Sequence, residues 1–256
     1  MLNKKLLLSL GLLVILGFFV YGRALNGKFI WDDQRLIQNN SEIRDLSKVL
    51  NLYSQDIGGK NYKDRYGFYR PLTITVYAVD YSLKRLNVEI YHLSSIIVHI
   101  LVAFSICLLV NLILNNWPVA LLTGILFLIH PVQTEAVAYI SGLADPLVAL
   151  FMILGLIFYI KYQSCRKRSF YALVLLAFFL ALLSKENSLI FPGIILLYHY
   201  VYKKKLWFKE LLPVLFMAFL YLVLRFTLLK SNCAQNEIFS WQVGVKRIPG
   251  FFAAIS

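Results

Sequence analysis

Apolar runs of about the length of a membrane-spanning helix follow one another along this chain and constrain its fold more than any other feature. Such a helix needs about 20 mostly apolar residues. Of the 256 residues, 59% are hydrophobic and 15% are charged, whereas soluble domains are about 45–50% apolar and about 25% charged. We therefore predict a single all-α, polytopic membrane domain. The seven predicted spans are residues 6–22, 91–114, 117–140, 146–162, 170–183, 188–202 and 211–229.

A long polar segment, residues 24–90, separates the first two predicted spans. Within it, residues 41–53 carry apolar side chains at helical spacing. Residues 72–86 are more apolar, but Asp80 lies in their middle and disfavours a full crossing. We therefore expect a long loop that contains short helices lying in the membrane interface.

Lysine and arginine are concentrated in two short loops, residues 161–168 and 203–209. Cytoplasmic loops of membrane proteins carry an excess of these residues. Counting the spans back from these loops places the N-terminus in the cytoplasm and the segment 24–90 outside. The short basic N-terminus and the short loops favour a bacterial cytoplasmic membrane.

The acidic residues show a second, independent asymmetry. In this topology every one of the 13 Asp and Glu residues except Glu210 falls on the extracytoplasmic side. Acidic residues contribute little to membrane orientation, so the topology does not require this distribution. It predicts that polar chemistry is concentrated on the outer face.

The net charge of +13 would suggest nucleic-acid binding in a soluble protein. Here the cations flank apolar runs, and no folded basic face remains once the spans are removed. We therefore expect membrane lipid as a partner and no nucleic acid.

The chain has no phosphate loop, nucleophile elbow or dinucleotide fingerprint, and its cysteines and histidines do not have the spacing of a zinc site.

Polar residues from five separate stretches are predicted to meet at the outer ends of the spans. Each stretch also has an ordinary explanation, because acidic residues and histidines can cap helices and loop cations can anchor at the interface. Their coincidence on one face favours a common site. The candidate residues in these stretches are Asp32, Asp33, Arg70, His92, His130, Glu135, Asp145, Lys185 and Glu186. Arg225, near the outer end of the seventh predicted span, is added to them.

Sugar transfer from a polyprenyl phosphate needs residues of these types. A carboxylate must accept the proton of the acceptor hydroxyl as its oxygen attacks the anomeric carbon, and Asp32 and Asp33 are the candidates. Cations must stabilise the charge that develops on the leaving phosphate. Arg70, Lys185 and Arg225 are available for that role, and grooves between apolar helices would admit the lipid tail.

Five ordered motifs carry a resemblance to a known family. They are Phe29-Ile30-Trp31-Asp32-Asp33 with Asn39-Asn40, Tyr69-Arg70-Pro71-Leu72-Thr73, Tyr91-His92-Leu93 with His99, His130-Pro131 through Ala138 with Ala144-Asp145, and Ser184-Lys185-Glu186. Over about residues 25–190 the chain resembles the membrane region of the transmembrane-and-tetratricopeptide-repeat O-mannosyltransferases and their bacterial relatives.

The resemblance implies the GT-C fold of many membrane helices, with a catalytic acidic pair in the first extracytoplasmic loop. It also implies a polyprenyl- or dolichyl-phosphate donor of a mannose-like sugar and an extracytoplasmic protein or glycan hydroxyl as acceptor. The transfer would be inverting, with Asp32 or Asp33 as the base. The other candidate residues would then bind substrate and lipid phosphate.

The chain departs from the family pattern at two places. The family usually has Gly-Arg-Ala-Asp, whereas this chain has Gly142-Leu143-Ala144-Asp145, so a phosphate contact by that arginine is missing or falls to another cation. The family's membrane region also carries more helices, often followed by repeats, whereas this chain ends at Ser256. We therefore expect a truncated, split or degenerate product.

Two other functions stay open. A transporter or lipid flippase would place ionisable residues near the bilayer midplane, whereas the charges here are predicted at helix ends. A non-catalytic remnant is suggested by the early C-terminus and by Leu143. The motifs require no cofactor, although the neighbouring carboxylates of Asp32 and Asp33 leave a divalent metal ion open.

Overall fold

The computed structural model describes residues 4–54, 57, 68–203 and 208–233, and every regular element in these ranges is helical. The all-α prediction is thus confirmed for this part of the chain. Parts of the predicted outer segment and of the second basic loop lie outside it. The α-helices, in chain order, are α1 Lys4–Tyr21, α2 Pro71–Lys84, α3 Val88–Leu114, α4 Trp117–Ile129, α5 Thr134–Ala138, α6 Ala144–Cys165, α7 Arg168–Ser184, α8 Phe191–Val201 and α9 Phe208–Cys233.

Four helical stretches are long and apolar enough to cross a membrane, namely Lys4–Asn26, Val88–Leu114, Ile140–Cys165 and Phe208–Leu228. A fifth crossing results if α4 and the stretch Pro131–Ala138, which is bent from it by 53°, form one span. Helices α7 and α8 coincide with two further predicted spans but have only 17 and 11 residues. The polytopic prediction is therefore confirmed, while the number seven stays a prediction.

Local sequence explains where the helices begin and end. Helix α3 begins after Asn87, whose side-chain oxygen accepts a hydrogen bond from the N–H of Glu89 at 3.0 Å. Helix α4 ends at Ile129, and the following His130 has an extended backbone because Pro131 disfavours the helical conformation before it. This break turns the chain into the connection between α4 and α6.

Helix α3 packs against α1, α4 and α6, while α6 pairs with α7. The contact between α3 and α4 is close at Gly124, where a Cβ atom would lie 2.9 Å from the carbonyl oxygen of Ala103 and would collide with the sulfur of Cys107. Small residues at helix crossings allow such close approach in membrane proteins.

The described part of the segment between α1 and α3, which the sequence predicts to be an outer segment, folds onto one end of these helices. Its short turns Ser41–Arg44 and Leu46–Ser54 pack against α2, which lies beside α3 and is not among the helices able to span a membrane. Tyr77 of α2 is fully buried, and its hydroxyl donates a hydrogen bond to the carbonyl of Ile140 at 2.8 Å. Helix α2 thereby connects the outer segment to the turn that precedes α6.

A buried polar cluster closes the opposite end of the helices. Glu210, in the first turn of α9, is 7% exposed and forms an ion pair with Arg166. Its carboxylate also accepts hydrogen bonds from Gln163 and from Tyr159, the latter at 3.2 Å. The Tyr159 hydroxyl lies 2.7 Å from Nε2 of His199. This cluster joins α6, α8 and α9 at the end that the sequence predicts to face the cytoplasm.

Candidate active site

A cavity of about 360 Å³ opens where the outer segment meets the connection between α4 and α6. Small-molecule sites typically have volumes of about 300–1,000 Å³. The polar residues that line the cavity come from three separate parts of the chain, and they are Asp32, Arg70, Glu135, Tyr139, Ser141 and Asp145. The fold thus brings together four of the residues predicted for the site.

Asp33 is fully buried and serves as an anchor for two loops. Its Oδ1 atom accepts hydrogen bonds from the backbone N–H of Ser141, at 2.8 Å, and from the Ser141 hydroxyl. Its Oδ2 atom accepts a hydrogen bond from the N–H of Ile30 at 3.1 Å. A buried carboxylate needs such donors, because unpaired burial of its charge is costly.

The neighbouring Asp32 is exposed and lines the cavity. Its Oδ2 atom accepts a hydrogen bond from the hydroxyl of Tyr139 at 3.1 Å. The ring of Trp31 packs edge-on against Tyr139, with 5.7 Å between the ring centroids. Trp31 has a φ of 45°, in the left-handed region that bulky residues rarely adopt. This turn points two adjacent carboxylates in different directions, one into the cavity and one into the protein.

Burial raises the pKa of Tyr139 above its usual value, with the charge of Asp32 acting in the same direction, although a hydrogen bond with Ser141 opposes the shift. The phenol therefore stays protonated across the neutral pH range. It is available there as a hydrogen-bond donor to Asp32.

Arg70 is held in the cavity wall by a carboxylate and an aromatic ring. Its Nε and Nη2 atoms donate hydrogen bonds to the two oxygens of Glu186, at 3.3 and 3.0 Å. The guanidinium carbon lies 4.4 Å from the centroid of the Phe68 ring. Burial alone would raise the pKa of Glu186, but the hydrogen bonds and charge of Arg70, together with the charge of Arg225, keep that pKa below its ordinary value.

Two more predicted site residues form an ion pair at the same end of the helices. Lys185, directly after α7, donates a hydrogen bond to the carboxylate of Asp145, in the first turn of α6. The Asp145 side chain is 52% exposed and that of Lys185 is 18% exposed. Glu135 is exposed on the cavity wall without contributing to this pair.

The two histidines predicted for the site have other environments. His92 is 2% exposed, and both of its ring nitrogens lack a hydrogen-bond partner among the residues that the structure describes. It packs against Gly27, where an added Cβ would lie 2.6 Å from Nε2. His130 caps the turn after α4, since its Nδ1 atom accepts a hydrogen bond from the N–H of Val132 at 3.2 Å. Neither histidine is among the residues lining the cavity.

The position of Leu143 shows what this residue contributes in place of the arginine of the family pattern. Leu143 is fully buried in the apolar cluster that contains Tyr77 and Tyr91. It therefore supplies packing where the family pattern has a cation. Arg70, which lines the cavity, and the nearby Lys185 are each already paired with a carboxylate.

The described part of the chain contains no group of three or more His, Cys, Asp or Glu residues that could hold a metal ion. The hydrogen bonds to Asp33 also explain why the carboxylates of Asp32 and Asp33 do not point toward a common position. Asp33 directs its oxygens to Ser141 and Ile30, whereas Asp32 faces the cavity.

Sequence reasoning missed two residues that contact the acidic pair, Tyr139 and Ser141. They lie between the His130 to Ala138 motif and the Ala144-Asp145 motif, in a stretch too short to form a further span. The sequence did offer one signal, namely two residues with hydroxyl groups at a break between two apolar helices. Their partners are more than 100 residues earlier in the chain, so the sequence did not indicate the pairing.

Comparison with known proteins extends the motif resemblance to most of the chain. It is 33% identical over 192 residues to protein O-mannosyl-transferase TMTC1 of Homo sapiens, covering 70% of this chain and 22% of that protein. It is 32% identical over 186 residues to protein O-mannosyl-transferase F38B6.6 of Caenorhabditis elegans, covering 71% and 26%. With protein O-mannosyl-transferase TMTC2 of Homo sapiens the identity is 30% over 153 residues, covering 59% and 18%.

The matched region is thus about a fifth to a quarter of the length of these relatives. No protein-family model matches the chain. No solved structure matches it. The resemblance predicted from the motifs is confirmed by the relatives: over about 70% of its length, this chain is homologous to the protein O-mannosyl-transferases.

Proposed function

We propose that this chain carries the transfer site of a GT-C-type glycosyltransferase. It moves a mannose-like sugar from a polyprenyl-phosphate donor to a hydroxyl of an extracytoplasmic protein or glycan. The observation that carries the proposal is the exposed carboxylate of Asp32 in a cavity whose wall also holds Arg70. The homology to enzymes named as protein O-mannosyl-transferases supports the same chemistry.

Asp32 is the general base in this proposal. As the acceptor oxygen bonds to the anomeric carbon, its proton passes to the Asp32 carboxylate. The bond between the anomeric carbon and the phosphate oxygen breaks, and its electron pair stays on the phosphate. Asp33 does not compete for this role because its oxygens are buried and accept hydrogen bonds from Ser141 and Ile30.

Arg70 and Lys185 stabilise the departing phosphate. A guanidinium has five N–H donors, and Glu186 accepts from only two nitrogens of Arg70. The remaining donors can meet a phosphate while Glu186 holds the group in place. Lys185 is close to the cavity through its contact with Asp145. Fixed cations of this kind stabilise charge as it develops in the transition state.

We infer that the cavity faces the extracytoplasmic side of a bacterial cytoplasmic membrane. Exposed cations at the other end of the helices support this orientation under the positive-inside rule. They include Lys161, Arg166, Lys167, Arg168 and Lys203. A donor with a lipid tail can then approach the cavity from the outer leaflet.

A transfer assay on the full chain in lipid nanodiscs tests the proposal. A panel of polyprenyl-phosphate sugars is offered together with a mixture of peptides that contain Ser and Thr, and release of polyprenyl phosphate is measured. We expect turnover with at least one donor and a loss of about 100-fold or more in Asp32→Asn. Glu89→Gln, which alters an exposed ion pair with Lys84, is the matched control and should keep wild-type activity.

Full activity in Asp32→Asn contradicts the assignment of the base. Absence of turnover with every donor contradicts the enzymatic proposal and favours the non-catalytic alternative, which the buried Leu143 supports. Movement of labelled lipid across reconstituted vesicles without any glycosyl product would instead favour a flippase.

A further inference from the structure

Hydrogen bonds tie the two neighbouring carboxylates to one short stretch on the other side of the cavity. Asp33 accepts a hydrogen bond from the Ser141 hydroxyl, and the hydroxyl of Tyr139, two residues before Ser141, donates one to Asp32 at 3.1 Å. The two carboxylates are adjacent in sequence, but their hydroxyl partners lie more than 100 residues away. The acidic pair is thus held by the break between α5 and α6.

The hydrogen bonds to Asp33 fix the position of its carboxylate in the site. It has no exposed surface, and both of its carboxylate oxygens accept hydrogen bonds from Ser141 or Ile30. The backbone N–H of Ser141 contributes as well as the hydroxyl. Hydrogen bonds to a buried charged group are among the stronger ones in proteins. The turn containing Ser141 therefore follows the position of Asp33.

The hydrogen bond from Tyr139 acts on Asp32, the residue that faces the cavity. Tyr139 has an extended backbone, with φ of −97° and ψ of 112°, between α5 and the turn Ile140–Leu143. The Trp31 ring packs against one side of it. This arrangement directs the phenol hydroxyl to the exposed carboxylate of Asp32. A donor at that oxygen fixes the direction of the carboxylate, and general-base catalysis requires the base to lie within hydrogen-bond reach of the proton that it accepts.

We propose that Asp33, Ser141 and Tyr139 are positioning residues that hold the Asp32 carboxylate in the orientation needed for proton transfer. This inference rests on the proposed function, because it assigns the support of the same base. Asp33 and Ser141 fix the turn, and Tyr139 transmits its position to Asp32. None of the three needs to touch the sugar or the acceptor.

The separation of kcat from KM distinguishes positioning from a purely structural role. Tyr139→Phe keeps the ring against Trp31 but removes the donor to Asp32. The carboxylate is then less often directed at the acceptor proton, so kcat should fall by about threefold to tenfold while KM stays within about twofold of wild type. Tyr200→Phe, at a tyrosine that is 83% exposed, is the control and should leave both constants unchanged.

Serine 141 provides a second measurement. Ser141→Ala should lower kcat by about tenfold, since one donor to Asp33 is lost while the backbone N–H remains. Ser141→Thr keeps a hydroxyl at the same place and should restore most of that loss. A threonine variant as impaired as the alanine variant would count against a role for the hydrogen bond from the residue 141 hydroxyl to Asp33.

The outcomes distinguish the inference from the function on which it rests. Transfer by the wild type together with an unchanged kcat in Tyr139→Phe overturns the positioning role and leaves the enzyme assignment standing. Absence of transfer in the wild type overturns the enzyme assignment. Thermal unfolding then tests separately whether Asp33 anchors the turn that contains Ser141. Asp33→Asn should lower the Tm by several degrees, whereas Asp32→Asn should not. Equal Tm values for these two variants would overturn the anchoring role of Asp33.

Discussion

The guanidinium of Arg70 and the carboxylate of Glu186 form two hydrogen bonds, at 3.0 and 3.3 Å, between residues that are 116 positions apart. Their side chains are 14% and 20% exposed, whereas the pair Lys84 and Glu89 is about half exposed on both sides. The first pair joins the start of α2 to the turn after α7. Shielding from water makes it energetically more important than the second.

Glu186→Gln should therefore destabilise the protein by about 1–3 kcal/mol, against less than about 0.5 kcal/mol for Glu89→Gln. The pKa of Glu186 is lowered in the folded protein. The stabilisation is thus present above the ordinary glutamate pKa and is lost as the pH falls through the lowered value. Thermal unfolding of both variants at about pH 7 and about pH 3 checks this. A difference between Glu186→Gln and wild type that does not shrink in acid contradicts it.

Asp80 of α2 carries an opposite pH dependence. Burial raises the pKa of Asp80 to about 7, although a hydrogen bond from Ser94 counteracts part of the shift. The protonated form is favoured on folding, so its contribution to stability is complete below about pH 4 and is lost as the pH rises to about 7.

Asp80→Asn imitates the protonated carboxyl. We expect its Tm to exceed that of the wild type by about 3–6 °C near pH 8 and to match it near pH 4. Thermal unfolding in detergent at both pH values measures the difference. A Tm gain that is the same at both pH values would show that titration of Asp80 is not its cause.

The contact of α3 with α4 depends on the absence of a side chain at Gly124. Gly124→Ala places a methyl group against Cys107 and the carbonyl of Ala103, and neither the backbone oxygen nor the packed sulfur can move freely. We expect destabilisation of about 1–3 kcal/mol. Gly11→Ala in α1 is the matched control, because no atom lies within 4 Å of the added Cβ there. Similar Tm values for the two variants would contradict the close crossing.

The cluster around Glu210 predicts a separation of stability from activity. Glu210→Ala removes the common partner of Tyr159, Gln163 and Arg166 and should destabilise the helices by about 1–3 kcal/mol. Because the cluster lies at the end opposite the cavity, the activity per folded molecule should stay within about twofold of wild type. Unfolding and transfer assays on the same preparation test both halves. A selective loss of transfer without loss of stability would show coupling between the two ends.

Hydropathy was sufficient to predict the helical class and the main spans, because each long apolar run has to satisfy its backbone within one helix. It could not decide whether α7 and α8 cross, since 17 and 11 residues are near or below the length required. The break at His130-Pro131 was visible in the sequence. Its angle of 53° was not, because packing against neighbouring elements sets it.

For the candidate site, residue type and order led to the prediction of the acidic pair, Arg70 and the pair Lys185-Glu186. They did not separate Asp32 from Asp33, because adjacent carboxylates have the same chemistry until the backbone directs one inward. The left-handed turn at Trp31 makes that distinction. The burial of His92 likewise depends on the approach of Gly27, which is 65 residues distant in sequence and has no local signature.

The bend after α4 has a consequence for biogenesis. The cavity wall combines residues near position 32, near position 70 and between 132 and 145, and Arg70 is hydrogen-bonded to Glu186. During synthesis the acidic pair leaves the ribosome long before its partners. Nascent chains that have inserted only α1 to α3 therefore contain both carboxylates but lack the hydroxyls of Tyr139 and Ser141. Under the proposed function such partial products would have no oriented base, and transfer would begin only after the later helices have packed.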